Sequence, residues 1–329
     1  MTAGVSAPAV TYLEAIRAAM RDAMREDDRV FLMGEDVGHF GGPFGVTTGL
    51  HEEFGGERVI DTPISEEGFV GAAFGAAWMG ERPIAELQFA DFVACPFDQI
   101  VTVGAKTHWR SGIKLPVVIR LPTGGGVRGG PFHASSPEGW FAGVAGLKVV
   151  CPGTVEDAYG LLRSAIEDDD PVLYFEHKAL YRRLKAPQPD TGHRTEIGQA
   201  AVVRAGRDVT VVTYGSGVTL ALEVAEKMAA TASIEVVDLR TIWPVDADTV
   251  LDSVARTSRA LVLQEASASS GVADALVSLI AREGFASMDA PISVVAAPDS
   301  PIPYAPELED AYLPSAAGLE AALEELLGY

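Results

Sequence analysis

Three stretches place acids, hydroxyls and a histidine at the ends of short apolar runs. They are Gly34-Glu-Asp-Val-Gly38, Asp61-Thr-Pro-Ile-Ser-Glu-Glu-Gly68 and the glycine-rich segment 124–136, which carries His133. A fourth, Gln88-Phe-Ala-Asp-Phe92, lies between the second and third. Carboxylates and histidine exchange protons, so proton transfer is the chemistry these residue types offer. Better-known motifs fail on context. Gly124, Gly126 and Gly129 match a dinucleotide-binding glycine pattern, but Pro131-Phe-His133 stands where a helix should open. No acid follows about 20 residues onward, as that motif requires. Tyr214-Gly-Ser-Gly217 lacks the first glycine of a nucleophile elbow, which leaves Ser216 as a turn residue. His51-Glu-Glu53 lacks the second histidine of a zinc-protease helix. Glu167 to Asp170 reads as a solvated helix end.

Alternating strand and helix patterns must position these loops. Thr11-Tyr-Leu-Glu14 is a capping box, and Leu13, Ile16, Met20 and Met24 follow at helical spacing. The spacing predicts strands at Arg29–Met33, Pro83–Phe89, Pro116–Leu121, Leu147–Cys151 and Pro171–Phe175. Helices are expected near Gly68–Met79, over Asp91–Arg110, and from Thr154 to about Glu167. Later strands are expected at Asp208–Tyr214, Ile234–Asp238, Ala260–Gln264 and Ile292–Val295. Such alternation predicts an α/β fold of two parallel-sheet domains. The polar, proline-bearing stretch 185–199 is expected to link a domain at 1–184 to another at 200–329. Parallel sheets hold ligands beyond the carboxyl ends of their strands.

The chain has 329 residues and a formal net charge of -21. That balance argues against nucleic acid and anionic lipid as partners, both of which need basic surface. Two cysteines, Cys95 and Cys151, without metal-ligand spacing, exclude a disulfide framework or a readable zinc site. Met1 to Val10 lack a basic region followed by an apolar run, and no stretch approaches a membrane span. A cytoplasmic, bacterial-type chain is expected.

Longer motifs carry a resemblance. Besides the loops above they are Asp98-Gln-Ile100, Pro137-Glu138, Gly146-Leu-Lys-Val-Val150, Glu176-His-Lys178, Leu180-Tyr-Arg182 and Val237-Asp-Leu-Arg-Thr241. In this order, from about Thr11 to the C-terminus, they resemble the beta subunit of the thiamine-diphosphate-dependent decarboxylating component of a 2-oxo acid dehydrogenase complex. The resemblance implies a thiamine pyrimidine-binding domain followed by a transketolase C-terminal-like domain. It also implies thiamine diphosphate as cofactor, the electron sink for decarboxylation.

The resemblance assigns Glu66 to the pyrimidine ring nitrogen, where a carboxyl promotes the cofactor's imino tautomer. From residue type alone Glu66 reads first as an acid favouring a helix N-terminus. Phe92 is the matching aromatic that stacks on the pyrimidine, with core packing as its ordinary alternative. Glu35 is a second acid beside Glu66, with a solvated loop acid as the alternative. His133 matches a histidine on a mobile active-site loop, a proton donor and a helper in acyl transfer to lipoamide. Here the sequence departs from the family's His-Ser-Gln-Ser, reading His133-Ala-Ser-Ser136. A structural potassium ion in some members matches Val117, Ala165, Ile166, Asp168 and Asp170, oxygen donors suited to a hard cation. A polar helix end without metal is the alternative.

No Gly-Asp-Gly and no asparagine occur in the chain, although the family's magnesium motif uses both. Half an active site is therefore expected. An alpha subunit would hold magnesium and the diphosphate, in an alpha2beta2 heterotetramer docked to a lipoyl acyltransferase core. The expected reaction is oxidative decarboxylation of a 2-oxo acid with reductive acylation of a lipoyl group. Gln88–Phe92, Pro96–Gln99 and Ser136–Glu138 resemble branched-chain members more than pyruvate members. Pyruvate or acetoin dehydrogenase, a self-contained synthase and a non-catalytic scaffold remain as alternatives.

Overall fold

In the computed structural model residues 9–329 are described, so all but the last two residues of the Met1 to Val10 reading lie outside them. The chain divides into two compact units, one of residues 1–122, 144–148 and 154–197, the other of 123–143, 149–153 and 198–329. Segment 123–143, with His133, thus groups with the second unit. The fold class is α/β, with two domains of mixed, largely parallel sheets flanked by helices.

The first unit runs β1 (Ala9–Thr11), α1 (Tyr12–Glu26), β2 (Val30–Gly34), α2 (Leu50–Phe54), β3 (Val59–Asp61), α3 (Glu66–Trp78) and β4 (Arg82–Glu86). It continues with α4 (Ala105–Ser111), β5 (Val118–Thr123), Lys148 of β6 (Lys148–Val150, whose other two residues belong to the second unit), α5 (Val155–Glu167), β7 (Val172–His177) and β8 (Lys185–Pro187). Its central strands lie in the order β7-β5-β4-β2-β3. The β2/β3, β2/β4 and β4/β5 pairs are parallel. The capping box forms at α1: Thr11 Oγ1 accepts from Glu14 N–H at 3.2 Å, and the Glu14 carboxylate accepts from Thr11 N–H at 2.7 Å. The expected apolar stripe of α1 is buried and packs on α5.

Expected helix Asp91–Arg110 is instead broken into a 3-10 turn at Ala90–Ala94, a wide turn at Gln99–Gly104 and α4. Pro96 has no N–H to continue the ladder. Gly104 lets the Phe74 ring of α3 approach to where a side chain would stand, 2.4 Å from an added Cβ. The stretch expected as a linker is ordered up to Ile197 against this unit. Within it β8 pairs antiparallel with β1, and Thr195 Oγ1 donates to buried Asp157 of α5 at 3.0 Å.

The second unit contains β9 (Ala201–Arg204), β10 (Val209–Thr213), α6 (Ser216–Lys227), β11 (Ile234–Asp238), β12 (Thr241–Trp243) and α7 (Ala247–Thr257). It ends with β13 (Ala260–Ser267), α8 (Val272–Leu279), β14 (Ser293–Ala297), α9 (Pro306–Tyr312) and α10 (Ala316–Leu327). Strand order is β14-β13-β10-β11-β9, parallel except at β9. β12 pairs antiparallel with Val149 and Val150 of β6. Val211, Val236 and Leu263 pack with Val224 of α6 and Leu319 and Leu323 of α10. Among the described residues no helix is long and apolar enough to cross a membrane.

Candidate active site

Parallel pairing brings the carboxyl ends of β2, β3 and β4 together: Gly34 lies level with Asp61 and with Glu86. A Cβ at Gly34 would stand 2.5 Å from the Glu86 carbonyl, so only glycine permits this approach. Glu35 is the first residue beyond β2. It is 4% exposed, and its Oε1 has no hydrogen-bond partner among the described residues. Burial pushes the Glu35 carboxyl above the ordinary carboxylate range, and the nearby negative charge of Glu66 adds to this. A backbone N–H from Ser65 opposes the shift, and Asp36 adds a smaller push upward. An acid so placed favours its protonated form.

Glu66 is half-buried and opens α3, whose N-cap Ser65 makes no side-chain cap bond. Both sequence readings of this residue therefore coincide in position, since the helix start and the neighbourhood of Glu35 are one place. Phe92 lies half-buried in the 3-10 turn after β4. Cys95 donates its N–H to the Phe92 carbonyl at 3.0 Å. Its thiol is pushed up by partial burial and then by Glu66, Glu35 and Glu67. The Cys95 thiol, just past the Phe92 turn, thus feels the charge of both acids. The structure brings Glu35, Glu66 and the Phe92 turn together in the first unit.

A protonated carboxyl can donate to a pyrimidine ring nitrogen, and a flat apolar side chain can stack on its face. A buried carboxyl oxygen without a partner, a second acid beside it and an adjacent aromatic turn fit that half of thiamine diphosphate. Among the described residues no group of three or more His, Cys, Asp or Glu is placed to hold a metal ion.

His133 caps the 3-10 turn Gly130–Phe132 in the second unit and is half-buried. Two acids tie down the loop leading to it. Glu265 accepts from Gly125 N–H at 2.7 Å and from Ser136 Oγ at 3.4 Å. Glu309 accepts from Gly126 N–H at 3.0 Å, Arg128 N–H at 3.3 Å and Arg128 Nη1 at 2.7 Å. These amides face carboxylates, which would repel a phosphate, and this is the physical reason the glycine pattern is no dinucleotide cradle. Ser216, also of this unit, opens α6 and donates to Glu265 at 3.1 Å.

The five residues matched to potassium lie in the first unit, and other groups face their oxygens. Arg82 Nη1 donates to the Ile166 and Asp168 carbonyls at 2.8 and 3.1 Å. Lys148 Nζ lies 2.7 Å from both Asp168 carboxylate oxygens and 3.4 Å from Asp170 Oδ2. Asp170 Oδ1 meets His108 Nδ1 at 2.5 Å. The Val117 and Ala165 carbonyls accept backbone N–H groups from Val172 and Asp168. The chain's own cations thus face three of the five residues, and the carbonyls of the other two each hold a backbone N–H.

Sequence reasoning missed one buried network. Arg120, fully buried, donates through Nε to Glu176 Oε2 at 3.1 Å and through its other nitrogens to Glu176 Oε1 and Glu86 Oε2. Tyr181 OH donates to Glu176 Oε1 at 2.6 Å. The signal was available: three charged residues interrupt the apolar strands β4, β5 and β7 near the same end.

With that geometry in place, known proteins supply the family. Residues 8–183 match the transketolase pyrimidine-binding domain and residues 198–319 the transketolase C-terminal domain. A 2-oxoisovalerate dehydrogenase subunit beta from Bacillus subtilis is 43% identical over 96% of this chain and 98% of its own. The chain belongs to the E1 beta-subunit family of the 2-oxo acid dehydrogenases. A pyruvate dehydrogenase E1 component subunit beta from Rickettsia felis is 42% identical, over 97% of this chain and 99% of its own. The beta subunit of an acetoin:2,6-dichlorophenolindophenol oxidoreductase from Bacillus subtilis is 41% identical over 97% of each chain. A solved split-gene transketolase, described as an inactive beta4 tetramer, superposes with a TM-score of 0.77 over 97% of this chain and 98% of its own. At 22% identity it shares the fold. Membership in this E1 beta family implies thiamine diphosphate use and an alpha partner.

Proposed function

We propose that this chain, paired with an alpha subunit, oxidatively decarboxylates a 2-oxo acid and transfers the acyl group to a lipoyl group, with branched-chain acids favoured. The observation that carries the reading is the buried, unpartnered Glu35 carboxyl oxygen beside Glu66 and the Phe92 turn. Thiamine diphosphate, when bound, supplies the electron sink for carbon–carbon cleavage. Glu66 holds a proton at the pyrimidine nitrogen. Glu35, uncharged more readily than an ordinary acid, keeps a second negative charge from accumulating there. Phe92 orients the ring by stacking. His133 moves a proton to and from the acyl-bearing product.

Magnesium and the diphosphate belong to the alpha subunit, in an alpha2beta2 heterotetramer in the cytoplasm, docked to a lipoyl acyltransferase core. Large exposed apolar side chains in the first unit support a covering partner: Ile64 is 86%, Met79 83% and Trp109 92% exposed. The Bacillus 2-oxoisovalerate relative and the motif similarities favour a branched-chain substrate. The acetoin relative, equally long, supports acetoin as the second reading.

The test is turnover by the chain co-purified with its partner, given thiamine diphosphate, magnesium and an artificial electron acceptor. Pyruvate, 2-oxoglutarate, 3-methyl-2-oxobutanoate and acetoin are compared. Turnover is expected only with the partner, fastest with 3-methyl-2-oxobutanoate, and about 100-fold or more slower in Glu66→Gln. Turnover by the chain alone, or an unaffected Glu66→Gln variant, would sink the reading.

A further inference from the structure

Phe92 ends a chain of contacts that starts in the buried interior of the first unit. The Arg120 guanidinium fixes Glu176, and the same Glu176 oxygen receives the Tyr181 hydroxyl at 2.6 Å. The Tyr181 ring lies 5.4 Å from the Phe44 ring, at an interplanar angle of 51°. Phe44 meets Phe89 edge to face at 5.5 Å and 80°. Phe89 in turn meets Phe92 edge to face at 5.6 Å and 75°. The Lys178 ammonium, which donates to the Pro122 carbonyl at 3.2 Å, sits 5.8 Å from the Phe89 ring centre.

Edge-to-face contacts are directional, so turning one ring sacrifices contacts with both of its neighbours. A buried ion network contributes little net stability over apolar packing of the same volume. What it does supply is a single geometry, because each charged group has one arrangement that satisfies its partners. The Tyr181 hydroxyl ties this aromatic row to that network.

We propose that Tyr181, Phe44 and Phe89 are positioning residues. They carry the fixed geometry of the Glu86–Arg120–Glu176 network outward and hold the Phe92 ring at the angle that receives the cofactor's pyrimidine. The inference rests on the reading of Phe92 as the stacking aromatic. It adds that affinity for thiamine diphosphate is set in part by a hydroxyl three rings away.

The experiment measures thiamine diphosphate binding, with magnesium, by quenching of tryptophan fluorescence in the chain co-purified with its alpha partner. Turnover and melting temperature are recorded in parallel. The variants are Tyr181→Phe, Phe89→Leu, Phe89→Tyr and Phe92→Leu. Tyr181→Phe, which loses one hydrogen bond, and Phe89→Leu, which loses edge contacts, should each weaken binding by about 2- to 10-fold. Their kcat at saturating cofactor should stay near the native value, because the acids are untouched. Phe89→Tyr keeps the ring and should restore native binding. A purely structural role would lower the melting temperature and leave the dissociation constant unchanged. Native binding in Tyr181→Phe and Phe89→Leu, with weakened binding in Phe92→Leu, overturns the proposal alone. Binding by Phe89→Tyr as weak as that by Phe89→Leu also overturns it. Native binding in Phe92→Leu overturns the stacking role of Phe92 and this proposal with it.

Discussion

Glu35 and Glu66 differ through what surrounds them. Glu66 opens a helix and is half-buried, whereas Glu35 is buried at a strand end with one oxygen that no described residue pairs. Burial, and then the Glu66 charge, hold the Glu35 carboxyl above its ordinary range. An acid of that kind binds its proton more tightly in the folded than in the unfolded chain. Its contribution to stability is complete below about pH 4.3, the ordinary glutamate value, and is lost as pH rises through the raised one. Glu35→Gln has no such loss. Its melting temperature should therefore decline less than the native protein's between about pH 4 and neutrality. Equal pH slopes for the two proteins would show that Glu35 is not held as described. The sequence marked Glu35 as an acid worth attention, but its burial depends on Gly34 lying against the Glu86 backbone, a contact between distant strands.

At the level of elements, β4, β5 and β7 each spend a buried charge at the end where the candidate site lies. Arg120→Met would leave Glu86 and Glu176 buried without their cation. The expected cost is about 3–5 kcal/mol, read as a lower denaturant midpoint. Replacing all three residues by apolar or amide groups of similar volume should recover much of that loss. A single variant as stable as the native chain would show the network to be solvated rather than buried. Helices and strands were legible wherever one period ran uninterrupted, as at α1, α5, β10 and β11. The expected helix 91–110 was not, because the effects of Pro96 and of the Phe74 ring at Gly104 are settled by packing. The polar stretch 185–199 reads as a linker because one strand's worth of apolar residues leaves almost no periodic signal, and its residues up to Ile197 group with the first unit. Its order comes from β1 and α5, far away in the chain.

For the whole molecule, a formal charge of -21 bears on association more than on fold. If a basic domain of the acyltransferase core docks on this chain, its association rate should drop steeply between low and physiological salt. The dissociation rate should change little. A rate indifferent to salt, measured by stopped-flow mixing, would remove charge complementarity from the account of docking.

The sequence by itself determined the α/β class and the family, and it singled out the acids, aromatic and histidine proposed to do its chemistry. These follow from local periodicity and from contiguous motifs, which require no knowledge of distant neighbours. Tertiary structure alone decided that Glu35 is buried and short of a partner, that Cys95 sits among three acids, and that the glycine loop is tied to Glu265 and Glu309. It also decided that Arg82 and Lys148 face the oxygens matched to potassium. Each of these depends on desolvation or on charges brought together by strand pairing and helix docking, and neither is written in the order of residues along the chain.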